Sequence, residues 1–128
     1  MILAIKTDVP QAEVYVVNEG RICAQKQWQA HRQLLETIHK AIQDVLQQSD
    51  KQLAELEGVI FYEGPGSFTG LRIGCSVANA LATSYSAPII ATTGTNWLSD
   101  GQQALSAGKG AQTVEPNYGQ EPRITTPA

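Results

Sequence analysis

Eleven residues constrain this chain more than any others: Gly64-Pro65-Gly66-Ser67-Phe68-Thr69-Gly70-Leu71-Arg72-Ile73-Gly74. They follow the apolar run Gly58-Val59-Ile60-Phe61-Tyr62 and lead into a helix-like segment. Glycine permits positive φ and close backbone approach, proline sets the loop, and Ser67 can cap the following helix. The expected product is a rigid strand-to-helix elbow built on Gly64, Pro65, Gly66, Ser67 and Thr69. Such an elbow can hold an anion at the helix start, but it lacks the Gly-Lys-Ser/Thr of a Walker loop and the spacing of a dinucleotide fingerprint. A tight turn followed by close helix packing is the favoured reading.

The length of 128 residues suits one domain with one sizeable core. A net charge of −3 gives no general electrostatic drive toward nucleic acid. No apolar run approaches the ~20 residues needed to cross a bilayer, and Met1 to Lys6 reads as a strand rather than a leader. A cytoplasmic setting is expected. Cys23 and Cys75 read as small buried hydrophobes. With those two cysteines and His31 and His39 eight residues apart, no zinc site is expected. No metal, cofactor or catalytic residue is assigned.

Ile2–Ile5, Glu13–Val17 and Arg21–Trp28 read as three strands in a meander. Ala30–Ser49 is the clearest helix: Leu34, Leu35, Ile38, Ala41, Ile42, Val45 and Leu46 keep the i, i+3, i+4 pattern over an arc of about 140°. Lys51–Glu57 reads as a short helical turn. Gly58–Tyr62 does not alternate and is expected in the middle of a sheet. A second helix runs from Phe68 to about Tyr85, a fifth strand covers Pro88–Thr92, and a third helix is expected between Gly94 and Ala107. The order β-β-β-α-β-α-β-α predicts an α/β domain with a mixed five-stranded sheet and flanking helices over residues 1–107. Residues 108–128, rich in Gly and Pro, read as a loose extended tail.

The second helix is too apolar for a lone domain. Its polar stripe (Thr69, Arg72, Ser76, Asn79, Thr83) covers only about 80° of the wheel. Leu71, Cys75, Ala78, Ala82 and Tyr85 form one apolar side, and Ile73, Val77 and Ala80 a second. Gly70, Gly74 and Ala78 repeat at small-x-x-x-small spacing, which admits a close neighbour. Either the two long helices bury these faces against each other, or they await another chain. The second option gives a candidate interface of Leu34, Leu35, Ile38, Ile42, Gly70, Arg72, Ile73, Gly74, Val77 and Leu81.

Four features together resemble the TsaB (YeaZ-like) family: Ile2-Leu3-Ala4-Ile5-x-Thr7, the His31–Leu35–Ile38 region, the Gly64–Gly74 elbow and Pro88-Ile89-Ile90. The likeness covers roughly residues 1–95. It implies an actin-like (ASKHA, ribonuclease H-like) fold and a place in forming threonylcarbamoyladenosine at position 37 of tRNA. It further implies a non-catalytic subunit that pairs with a TsaD-like catalytic subunit through the first two helices, joined by a TsaE-like ATPase and tRNA through the complex. The resemblance also implies that the same surface can form a homodimer when the partner is absent. Two departures stand out. Lys6 replaces the usual family Asp, a position that resembles a phosphate motif of active relatives. The family's second domain is largely lacking, although Glu115-Pro116-Asn117-Tyr118 resembles its C-terminal Pro-x-Tyr signature. The alternatives are a self-associating module or a degenerate actin-like nucleotide-binding protein.

Overall fold

The computed structural model describes residues 1–119. Three strands open the chain: β1 (Ile2–Lys6), β2 (Gln11–Asn18) and β3 (Arg21–Gln29). Helix α1 (Leu34–Ser49), strand β4 (Gly58–Tyr62), helix α2 (Phe68–Ser84), strand β5 (Ile89–Thr92) and helix α3 (Trp97–Ser106) follow. The sheet order is β3-β2-β1-β4-β5. β1 runs antiparallel to β2 and β2 to β3, whereas β1–β4 and β4–β5 are parallel. This is the mixed five-stranded sheet and the element order expected from the sequence.

The two faces of the sheet carry separate cores. Leu3, Ile5, Val14, Val16, Val59 and Phe61 point to the face where α1 and α2 lie. Ala4, Tyr15, Val17 and Ile60 point the other way, to Trp97 of α3. Strict alternation along β1 produces this split, since successive side chains take opposite faces. Central β4 is buried over four of its five residues, as its unbroken apolar run requires. Burial raises the Tyr15 hydroxyl pKa to about 12, helped by its hydrogen bond to Glu13.

Five sequence expectations change. The first helix does not begin at Ala30: His31–Gln33 is a 3-10 turn and α1 starts at Leu34. The Ala30 and His31 N–H groups both donate to Pro10 O, at 2.9 and 3.4 Å. That tie to the β1–β2 turn holds His31 at φ 48° and delays the helix. The expected turn at Lys51–Glu57 shrinks to a 3-10 turn at Leu53–Glu55, and α3 begins at Trp97 rather than Gly94, whose φ is +85°. Cys23 is exposed, not buried, because β3 is an edge strand and nothing packs on its hairpin end. Cys75 is buried as expected, and burial pushes its thiol pKa up.

The fifth change concerns the tail, which is held at several points over residues 108–119. Ile89 and Ala111 exchange backbone hydrogen bonds at 2.9 and 2.8 Å, extending the sheet past β5. The Asn79 side chain pairs with both backbone groups of Val114, each at 2.9 Å. Asn117 N–H donates to Glu63 O at 2.7 Å, and Tyr118 lies on Phe68 with ring centroids 4.5 Å apart. Isolated Gly and Pro content signalled irregular backbone correctly but gave no sign of these long-range partners. The expected tail beyond residue 119 lies outside the described residues.

Candidate functional site

The elbow between β4 and α2 is built against the end of β1. Gly64 has φ +115° and precedes a cis peptide bond to Pro65. Its carbonyl accepts a hydrogen bond from the Thr93 hydroxyl. Ser67 N–H donates to Asp8 O at 2.8 Å, and Ser67 Oγ accepts from Gly70 N–H at 3.3 Å, the cap expected from the sequence.

Three elbow glycines explain themselves by what surrounds them. A Cβ at Gly66 would lie 2.5 Å from Asp8, at Gly70 2.4 Å from Thr7 O, and at Gly74 2.0 Å from Thr7 Oγ1. The Thr7 hydroxyl in turn donates to Gly70 O at 2.8 Å. The small residues therefore admit the chain's own Thr7-Asp8 segment. Gly74 is buried in that contact, while Gly70 is half-buried and also lines a hollow between the helices. Beside them Lys6 Nζ pairs with Asp8 Oδ1 at 2.7 Å and stands 4.6 Å from the Tyr62 ring centroid. No group of three or more His, Cys, Asp or Glu capable of holding a metal occurs among the described residues.

The remaining interface candidates divide by burial. Leu34, Ile38, Ile42 and Val77 are 8% exposed or less. They pack into the core against the sheet, and Val77 and Leu34 also line the hollows between the two helices. A helical wheel shows how wide an apolar arc is, but not how much of that arc the sheet consumes. Leu35 is the opposite case, 58% exposed. Arg72 is exposed, and Ile73 and Leu81 are half-buried.

Leu35 from α1 meets Ile73 and Val77 from α2 across a groove of about 340 Å³, rimmed by Thr69, Arg72 and Ser76. Val77 supplies the floor. Beyond Thr69 and Ile73, which both depressions share, a second hollow of about 660 Å³ reaches His31, Arg32 and the β1–β2 turn. The pair forms a trough along the α1–α2 junction, with Arg72 at the smaller hollow and His31 and Arg32 at the larger.

Phe68 was read only as the start of a helix. It is 56% exposed and sits between the Tyr118 ring and the Arg72 guanidinium, which lies 5.5 Å from its centroid. A large exposed aromatic beside a cation was visible as a pair in the sequence; its stacking partner Tyr118, fifty residues away, was not.

Comparison with known proteins bears on this arrangement. The family model described as TsaD, tRNA N6-adenosine threonylcarbamoyltransferase, matches residues 26–103, which include α1, α2 and the elbow. The tRNA threonylcarbamoyladenosine biosynthesis protein TsaB of Escherichia coli is 35% identical over 89 residues, 70% of this chain and 38% of that protein. The tRNA N6-adenosine threonylcarbamoyltransferase of Geotalea uraniireducens is 30% identical over 105 residues, 70% of this chain and 31% of that protein. Among solved structures, YeaZ from Pseudomonas aeruginosa superposes with a TM-score of 0.69 at 26% identity, covering 84% of this chain and 49% of that one. The chain thus spans well under two thirds of the length of these relatives.

Proposed function

The chain belongs to the TsaD family of threonylcarbamoyltransferase proteins and is TsaB/YeaZ-like within it; on that premise we propose that it is a non-catalytic subunit in the formation of N6-threonylcarbamoyladenosine at position 37 of tRNA. It docks on a TsaD-like catalytic subunit through the α1–α2 trough. A TsaE-like ATPase and tRNA engage through that pair, and the setting is cytoplasmic.

One observation carries this reading. The Leu35–Ile73 groove is an apolar opening between the two helices of the family match, on a face where the sheet has already taken its share of both helices. Leu35 is left 58% exposed. Covering it and Ile73 offers about 1.5–3 kcal/mol for each side chain fully buried, which is the scale of a docking anchor.

A non-catalytic role is supported by the elbow chemistry. Ser67 Oγ is engaged as a cap, Thr7 is bonded to Gly70 O, and the glycines are filled by Thr7 and Asp8. Lys6 places an ammonium group, already paired with Asp8, at the position where the resembling family usually has Asp. A cation there cannot serve as a metal ligand. The subunit's contribution is then binding: it offers a rigid two-helix surface and holds the partner in its working arrangement.

Copurification from the native cell with a tagged full chain tests the proposal. Recovery of a TsaD-like transferase in stoichiometric amount supports it. Recovery of the chain with no transferase, from cells that contain one, overturns it.

A further inference from the structure

We propose that residues 110–119 form an edge guard: a strap over the β5 border of the sheet whose release joins this chain to a second copy, strand to strand, through β5. The order β3-β2-β1-β4-β5 leaves two borders. A border strand offers backbone N–H and C=O groups that template another strand unless something blunts it. β3 is blunted within its own sequence. It carries Arg21 and Lys26, and its register against β2 shifts at Val16/Val17; charge and a bulge are common devices for this. β5 has neither. It reads Ile89-Ile90-Ala91-Thr92, without a charge, and its register with β4 is unbroken. A short, uncharged, β-branched strand of this kind pairs readily with its own copy. Its cover comes instead from the strap.

The molecule is shaped to hold that strap. Ile89 N–H donates to Ala111 O at 2.9 Å and Ala111 N–H to Ile89 O at 2.8 Å, so Ala111 takes the place of a neighbouring strand. Gly110 beside it has no room for a side chain, since a Cβ there would lie 2.5 Å from Pro88. Phe68, Cys75 and Asn79, seven and four residues apart, share one side of α2. All three meet the strap: Asn79 and Cys75 at Val114, Phe68 at Tyr118. At the far end Asn117 O fills the place that a Cβ on Gly64 would need. Between these pins the strap bridges a hollow of about 810 Å³ bounded by Ala82, Thr83, Ala87 and Pro88. It is therefore fastened at points rather than packed along its length. Opening it uncovers buried Ile89 and Cys75 together with the backbone of the border. None of these strap contacts involves a residue lining the α1–α2 trough.

The test follows self-association of full-length chains by sedimentation over a range of concentrations, with melts alongside. All carry Leu35→Asp, so that the trough takes no part. The first keeps the strap as it is. The second adds Asn79→Ala. The third adds Asn79→Ala and Ala111→Pro, which removes the N–H donor to Ile89 O. The fourth places Ala91→Lys on the border of the third. Apparent affinity scales with the fraction of straps that are open, so the second chain should self-associate at least about tenfold more tightly than the first. The third should associate more tightly still, with Ile89 N–H exchange that slows as concentration rises, and the fourth should return to the behaviour of the first. Strap-released chains no more associated than the first overturn the proposal, as does association that the border lysine leaves unchanged. If the third chain melts below the working temperature, the second decides by the same two criteria, compared with its own Ala91→Lys form.

Discussion

Thr7 and Gly74 touch so closely that a single methyl group at position 74 would lie 2.0 Å from the Thr7 hydroxyl oxygen. The end of β1 is thereby keyed into α2, and the helix face that could otherwise drift is fixed relative to the sheet. Gly74→Ala should destabilise the protein by about 1–3 kcal/mol, the usual cost of overpacking. Thr7→Ala removes the obstructing atoms, so the double variant should lose less than the sum of the singles. Urea unfolding of the four proteins measures this. A neutral Gly74→Ala would mean that the contact is not the tight key it is described as.

Asn79 acts as a substitute strand neighbour for Val114. Its amide accepts from one backbone group and donates to the other, both at 2.9 Å, while the Cys75 thiol donates to the same carbonyl at 3.3 Å. Each neutral hydrogen bond contributes about 1 kcal/mol, so Asn79→Ala, which removes two, should open the 111–119 segment about thirtyfold more often. Hydrogen exchange at the Val114 amide should accelerate accordingly. Alkylation of Cys75 should also quicken, with exposed Cys23 as the unaffected internal control. Unchanged rates at both sites would show that Asn79 does not hold the segment.

Asp44 ties α1 to β3. The hydrogen bond from Lys26, and next that from Lys40, hold its carboxyl below the ordinary value of 3.8. A depressed folded-state pKa contributes stability that is fully present above the unfolded value and is lost as pH falls through the folded one. The stability advantage of wild type over Asp44→Asn should therefore be constant at neutral pH and vanish on acidification below about pH 4. Unfolding midpoints across that range read the difference. An advantage that grew on acidification would contradict the assigned cause.

Val77 and Ile73 separate core from surface on one helix. Val77 is 8% exposed and Ile73 is half-buried at the groove edge. Val77→Asp places an unpaired carboxylate against the core and should cost several kcal/mol, enough to unfold a marginal domain. Ile73→Asp leaves its charge at the solvent edge and should shift the thermal midpoint little. Circular dichroism melts distinguish the two, and equal melts would refute the division of the interface made here.

The element order and the sheet class were legible because each rests on local pattern: rough alternation in β3, an unbroken apolar run in β4, the i, i+3, i+4 stripe of α1. The Ser67 cap was legible for the same reason, being three residues from its donor. The site was half legible. The sequence marked α2 as carrying more apolar surface than one sheet needs, and Ile73 lies in that surplus. It could not say that Ile38, Ile42 and Val77 would be consumed by the sheet, because consumption depends on how α1 and α2 sit over β1–β4. Nor could it show that Gly70 and Gly74 make room for Thr7, or that Tyr118 returns to Phe68. Those pairs are distant in sequence and have no periodic signature.

The central claim is that the Leu35–Ile73 groove receives a TsaD-like transferase subunit. Its most direct measurement is the equilibrium affinity of that subunit for the full chain and for Leu35→Asp and Ile73→Asp, with melts run in parallel. The account predicts folded variants whose binding is weakened at least tenfold, the equivalent of about 1.4 kcal/mol. Folded variants that bind the transferase as tightly as wild type would contradict it.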